Sequence, residues 1–247
     1  RTYSLARCLV RQNSSNDLSL YLTVEPLSVV PLNLSWIFYE PSFGSIMSKI
    51  VLILYYSRHG ATKAMANSIA LGVEKSGLEA RLRCVPEVSN NFSNIQNPVP
   101  SSGDPYVVKQ DLDDCCALAL GSPTRFGNMA APLKYFLDDT SAQWLAGTLE
   151  SKPACVFTSS SSMHGGQETT LLTMMIPLFH HGMVLCGLPY SNPELHTTLS
   201  GGSPYGVTHL AQGDNKSKLT NEEQTLCIEQ GRRLAFLAVK LSNLNTK

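Results

Sequence analysis

Charge is scarce in this sequence. Only 15% of its 247 residues are Asp, Glu, Lys or Arg, and the 19 acidic residues balance the 19 basic ones. A neutral balance leaves no basic footprint for nucleic acid and no polybasic patch for a membrane surface. No apolar run approaches the roughly 20 residues that span a bilayer. The seven cysteines, Cys8, Cys84, Cys115, Cys116, Cys155, Cys186 and Cys227, contain no CxxC pair. Their odd number and mostly apolar surroundings point to reduced core thiols in a cytoplasmic protein, not to a disulfide framework or a zinc site. Neither GxxxxGK[ST] nor GxGxxG occurs. No Ser-His-Asp order or carboxylate pair suggests hydrolysis. What the chain does have is 43% hydrophobic residues, enough for a sizeable core at this length.

Residues 1–46 differ from the rest. They hold one glycine, Gly44, and no lysine, and their short apolar patches are broken by Pro26, Pro31 and Pro41. They lack the charged start, continuous apolar stretch and small-residue cleavage site of a signal peptide. The first methionine is Met47, after which regular punctuation begins. The expectation is that residues 1–46 are a disordered or non-native extension, translated from upstream sequence, and that residues 47–247 form the domain.

From Met47 onward, apolar runs alternate with helical periodicity. Residues 49–56 are rich in Val, Ile and Leu and suit a strand buried on both faces. Residues 62–75 read as a helix, with Met65, Ile69 and Val73 spaced by four and Gly77 as its stop. Residues 80–84 alternate as an edge strand, and residues 89–105 are a polar loop. Residues 115–120, 154–158 and 184–188 read as three further strands. Residues 132–138, with Pro132 in the first turn, and 168–181, with Pro177 bending or breaking it, read as helices. A Gly-rich loop without periodicity covers 189–218. A last helix, 221–241, places Leu226, Leu234, Leu237 and Leu241 on one face. This alternation predicts an α/β fold, a doubly wound five-stranded parallel sheet with helices on both faces. Ligands of such sheets sit beyond the carboxyl ends of the strands, at the switch in strand order.

Three polar loops leave strand ends. The first, Ser57-Arg58-His59-Gly60-Ala61-Thr62, opens a helix, whose amide groups and positive dipole suit an anion. Its hydroxyls without lysine suit a flavin monophosphate better than a triphosphate with magnesium. Taken alone, an ordinary Ser/Thr helix cap explains it equally well. The second loop, Thr124-Arg125-Phe126-Gly127-Asn128, offers an aromatic ring and polar groups for a heterocycle's rim, or is a polar loop with one incidental aromatic. The third, Ser159-Ser160-Ser161-Ser162 through His164 and Gly165, is rich in donors and by itself reads as a linker. Three such loops at successive strand ends favour a ligand crevice. Trp144 can wall a planar substrate, although core packing is the commoner fate of a Trp. His180 and His181 end a helix, where histidines satisfy the last carbonyls, and without Cys or carboxylate neighbours no metal site is expected.

The run Gly121-Ser122-Pro123-Thr124-Arg125-Phe126-Gly127-Asn128-Met129 is the most specific of several motifs that resemble the WrbA family of NAD(P)H:quinone oxidoreductases. Tyr55-Tyr56-Ser57, His164-Gly165-Gly166-Gln167-Glu168, His180-His181-Gly182-Met183 and Gly201-Gly202-Ser203-Pro204-Tyr205-Gly206 reinforce it in order. The resemblance runs from about Lys49 to Leu241. It implies a flavodoxin-like fold, FMN, NADH or NADPH as co-substrate, a quinone substrate and a homotetramer. It also implies that residues 57–62 hold the flavin phosphate and that Thr124, Arg125 and Phe126 contact the isoalloxazine. Residues 159–165 would wrap the other side of the ring, His180 would line the site, and Trp144 would stand on the substrate side. His59 stands where the family often has Tyr, at a position associated with the nicotinamide.

Two other readings compete: a flavodoxin-type electron carrier, and a flavin-dependent accessory protein. Carriers are usually strongly acidic, which steers them to basic partners. The balanced charge and the long 189–218 segment disfavour that reading. The sequence reveals neither the physiological quinone nor a preference for NADH or NADPH, and no adenosine-phosphate site stands out in it.

Overall fold

The computed structural model of the chain describes residues 8–12, 18–22, 30–31, 48–89, 100, 103–212 and 218–242. The chain divides into two units, Arg1–Met47 and Ser48–Lys247. In the first, strands β1 (Cys8–Gln12), β2 (Leu18–Leu22) and β3 (Val30–Pro31) pair antiparallel in that order. The rest of the expected 1–46 extension lies outside the described residues, as do residues 90–99 and 101–102 of the expected 89–105 loop.

In the second unit the apolar run after Lys49 becomes β4 (Ile50–Tyr55). Its residues are buried on both faces, and they divide by parity. Val51, Ile53 and Tyr55 pack against helices α1 (Ala61–Glu74) and α7 (Asn221–Ser242). Leu52 and Leu54 pack on the other side with Leu112 of α2 (Lys109–Asp114), Leu133 of α3 (Ala131–Asp138), and Leu171 and Met174 of α5 (Gln167–His180). A strand sandwiched in this way needs a continuous apolar run rather than an alternating one. β5 (Glu79–Cys84) lies at the sheet's edge and alternates, as expected. β6 (Ala117–Pro123) and β7 (Pro153–Ser160) complete the centre.

All pairings in this sheet are parallel, in the order β5-β4-β6-β7-β8, where β8 is Val184–Leu185. This is the doubly wound topology the alternation predicts. The order reverses between β4 and β6, which puts the switch point at the loops that follow those two strands.

The fifth position departs from expectation. Only Val184–Leu185 of the expected 184–188 strand pairs, against Pro153 and Ala154 at the start of β7. The chain then leaves the sheet, forms α6 (Glu194–Thr197), and returns as β9 (Val207–Leu210) against Phe157–Ser160. The sheet therefore has six strands, two of them sharing the fifth place. The segment expected as a loop conceals β9 because a four-residue strand containing His209 shows no apolar run. Pro177 does not break α5, which continues to His180. Leu171, Met174 and Leu178 keep both sides of the proline anchored in the core, which offsets one lost backbone hydrogen bond. Short helices α2 and α4 (Ser141–Leu145) escape sequence periodicity because neither makes two full turns.

The cysteines behave as core residues. Cys84, Cys115, Cys116, Cys155, Cys186 and Cys227 are free thiols, and Cys115, Cys155, Cys186 and Cys227 are buried. Burial raises the Cys115 and Cys186 thiols to about 11 and pushes Cys155 well above the ordinary thiol value, so these groups stay protonated. No helix of the described residues is long and apolar enough to cross a membrane.

Candidate functional site

Ser57 folds the first loop onto its helix. Its Oγ accepts the amide hydrogens of Gly60 (3.1 Å) and Lys63 (3.3 Å). Gly60, at φ 88°, takes the left-handed conformation that turns the chain into α1, and it has no side chain to cap the helix. The amides of Ala61 and Thr62 therefore point outward with no acceptor among the described residues, and no acidic side chain stands in the first turn. Uncapped amides at the positive end of a 14-residue helix, flanked by hydroxyls and free of acid, fit a phosphate monoester. Thr62 Oγ1 lies 3.0 Å from Ser159 Oγ, so the first and third loops share one floor.

The second loop leaves β6 as a two-residue reversal. Arg125 and Asn128 exchange backbone hydrogen bonds (2.7 and 3.0 Å), and Phe126 (φ 53°) and Gly127 (φ 76°) occupy the tip. A non-glycine residue at positive φ is strained. The Phe126 ring is fully exposed. Ser122, buried under the loop, donates from Oγ to the Pro123 carbonyl and accepts the Ala130 amide (2.8 Å). Thr124 Oγ1 meets Thr170 Oγ1 at 2.6 Å.

The third loop is tied to the second by backbone contact. A Cβ at Gly166, itself at φ 89°, would lie 3.1 Å from Gly127 Cα, so the His164-Gly165-Gly166 run lets the two loops touch. Ser160 is spent within its own loop: its Oγ donates to the Ser162 carbonyl (2.7 Å) and accepts from Gln167 Nε2 (2.7 Å).

These elements enclose a cleft of about 220 Å³ lined by Ser57, Arg58, His59, Ala61, Thr62, Pro123, Thr124, Arg125 and Ser159–Ser161. The structure thus brings residues of all three expected loops together. Ser162 and Gly165 do not line the cleft and instead close the turn behind Ser160. Gly60, Phe126, Gly127 and Asn128 do not line it either: the Phe126 ring is fully exposed, and Asn128 lines a neighbouring cleft. Ala211 also lines it; no sequence signal marks this residue, because it directly follows the hidden strand β9. Its amide donates to the Ser160 carbonyl (2.7 Å).

Ala211 is placed by a buried carboxylate. Glu223 Oε1 accepts the amides of Gly201 (2.9 Å) and Leu210 (3.0 Å), and its Oε2 accepts the Thr220 amide (2.9 Å) and meets His209 Nδ1 (2.7 Å). Both side chains are buried. Burial favours the protonated acid, but His209 and the amides of Leu210 and Thr220 outweigh it and hold Glu223 at about 2. One carboxylate therefore ties the 186–206 excursion, β9 and the start of α7 together.

His180 and Trp144 lie elsewhere within one chain. α5 begins at Gln167 beside the cleft and rises about 1.5 Å per residue, so its end at His180 is about 20 Å away, at the opposite end of the sheet. There Trp144 Nε1 donates to the His180 carbonyl (2.8 Å). His181 Nε2 meets Thr140 Oγ1 (2.9 Å), and burial holds its ring below the ordinary histidine range. The exposed side chains of Trp144, Leu145, Ile176 and Phe179 come from this region, and exposed Leu172 from the first half of α5.

A doubly wound parallel sheet with uncapped helix amides and hydroxyls at its switch point defines a class, and comparison with known proteins narrows it. The family model described as NADPH-dependent FMN reductase matches residues 48–192. The chain belongs to this family. It is 40% identical to a NAD(P)H dehydrogenase (quinone) of Solidesulfovibrio magneticus over 199 residues, covering 77% of this chain and 98% of that protein. It is 37% identical to a NAD(P)H dehydrogenase (quinone) of Gluconacetobacter diazotrophicus, over 78% of this chain and 98% of that protein. Its fold matches a flavodoxin, WrbA-like protein from Agrobacterium tumefaciens (TM-score 0.54, 21% identity, 78% of this chain and 98% of that one).

Proposed function

We propose that the chain is an FMN-dependent NAD(P)H:quinone oxidoreductase that carries out two-electron reduction of quinones in a ping-pong cycle. The observation that carries this reading is the uncapped start of α1, where the Ala61 and Thr62 amides and the hydroxyls of Ser57 and Thr62 converge without an opposing acid. The relatives' names supply the activity. Bound there, FMN supplies hydride transfer from the nicotinamide and on to the quinone. The protein's part is position and electrostatics. Ser57 orients the loop that would hold the phosphate, and Gly127 and Gly166 keep the second and third loops in contact. Thr124, Arg125 and Phe126 would contact the flavin ring, and Arg58 would add positive charge beside the phosphate. His59 lines the cleft and would meet the nicotinamide.

The same reading includes a homotetramer and a cytoplasmic location. Assembly gives His180 and Trp144 a route to the chemistry: the end of α5 in one copy reaches the cleft of another. The exposed Trp144, Leu145, Leu172, Ile176 and Phe179 support such an interface, since patches of this kind are usually covered in soluble proteins.

Steady-state kinetics of the FMN-loaded chain, with NADH or NADPH and benzoquinone, tests the activity. Parallel initial-rate lines are expected, and a colourless protein without turnover after FMN addition would reject it. Light scattering tests the assembly. Trp144→Ala should lower quinone turnover while leaving FMN affinity within about twofold.

A further inference from the structure

Beside the flavin cleft lies a second and larger one, of about 690 Å³, a volume typical of ligand sites. Its walls are Tyr56, Arg58, Glu87, Arg125, Lys134 and the chain from Asn128 to Pro132, with Val88 at one side. The two clefts share Arg58 and Arg125, which form the ridge between them. A ligand that spans the ridge has one half in each.

The charge around the second cleft is one-sided. Three cations, Arg58, Arg125 and Lys134, face one acid, Glu87, a net of +2 among the lining residues. Tyr56 Oη donates to Glu87 Oε1 (3.2 Å). Arg58 and Arg125 have no carboxylate partner among the described residues, although Asp and Glu are as frequent as Lys and Arg in the chain. Lys134 is engaged on its own helix with Asp138, and both side chains are half-exposed, so the pair is easily exchanged. These cations come from two strand-end loops and one helix and are far apart in sequence, which is why no basic motif announces them.

We propose that this second cleft seats the phosphorylated adenosine half of the nicotinamide co-substrate, and that its cations favour the 2′-phosphate of NADPH over the free hydroxyl of NADH. The proposal rests on the quinone reductase reading above and adds the half of the co-substrate that does not react. An extra dianion distinguishes NADPH from NADH, and a cleft lined by excess positive charge raises its local concentration and holds it. In dinucleotide sites generally, arginine accommodates the 2′-phosphate, whereas a free acid accepting from the ribose hydroxyls selects NADH. In this cleft the acid already accepts from Tyr56. A neutral quinone gains nothing from three cations, which argues for the dinucleotide as the occupant.

The test uses the FMN-loaded full chain and titration calorimetry with adenosine 2′,5′-bisphosphate and adenosine 5′-monophosphate as probes. The bisphosphate should bind about tenfold more tightly, a margin of about 1.4 kcal/mol. Lys134→Met should remove most of that margin, and Asp138→Asn, which frees Lys134, should widen it. In kinetics Lys134→Met should raise KM for NADPH about fivefold and move KM for NADH less than about twofold. Flavin fluorescence should report the same FMN affinity in both variants. Equal binding of the two nucleotides, or an equal rise in both KM values, overturns the proposal. A chain that discriminates the probes but turns over neither nucleotide supports the cleft and rejects the activity.

Discussion

The candidate flavin cleft is walled by two parts of the sheet that are built in different ways. On one side, β4, its loop and α1 follow one another without interruption, and the strand is buried wholly by apolar side chains. On the other, the fifth position is made of two short strands separated by the excursion through α6, and β9 ends at the cleft. β9 pairs with the end of β7 and sends only Val207 into the main core. Beside it Glu223 reaches from α7 and gathers three amides and His209. Where the strand is long and apolar, burial fixes the loop that follows. Where it is split, a fully satisfied buried carboxylate does the same work. Such a carboxylate is worth most when every partner is present and is costly when one is missing.

This contrast can be broken from either side. The largest effect is expected from Glu223→Ala, which strands His209 and three amides in the interior. Urea unfolding should show a loss of about 3–5 kcal/mol, and a loss below about 1 kcal/mol would mean that β9 is held by something else. Leu118→Ala, in the continuous part of the sheet, should cost about 3 kcal/mol through cavity formation. That cost should be the same at every pH between 3 and 8, whereas the Glu223 contribution should not.

Acid gives the next effect. The folded pKa of Glu223, about 2, lies below the unfolded carboxylate's. Its contribution is therefore complete above the unfolded value of about 4.3 and disappears as pH falls through the folded one. The stability difference between the wild type and Glu223→Gln should shrink by up to about 3 kcal/mol over that window. A difference that stays constant with pH would remove the carboxylate's charge from the account.

Smaller effects sharpen the comparison at the cleft itself. Thr62→Ala removes the hydroxyl shared with Ser159 and should weaken FMN about tenfold by fluorescence titration, with little loss of stability. Phe126→Gly relieves a positive φ, so it should raise stability by about 1 kcal/mol while weakening flavin binding. A variant that loses both would show that Phe126 serves the fold instead of the ligand.

How legible the site was varies along the chain. The 57–62 loop could be read because a buried strand, a turn and a periodic helix are all local signals. The dense motif at 124–128 marks a loop from which Thr124 and Arg125 reach the cleft, whereas Phe126, Gly127 and Asn128 do not line it. Ser162 and Gly165 were expected in the cleft by their place in a donor-rich loop, but the Ser160 hydrogen bonds turn that part of the loop inward. Ala211 carries no chemistry of its own and lines the cleft only because β9 pairs with β7. Trp144 is expected as a substrate wall from its polar context and His180 from the resemblance, and the single chain holds them together at the far end of α5.

The amino-acid sequence by itself determined the alternation of strands and helices, and with it the doubly wound sheet and the polar loops at its switch point, because periodicity and turn chemistry act over a few residues. Only the tertiary structure decided how the fifth position is filled, which donors face the cleft and which cations surround the space beside it. Those outcomes depend on pairing between segments far apart in the chain, such as Glu223 with His209 and Gly201, or Arg58 with Arg125 and Lys134, and no local pattern encodes which distant groups will meet.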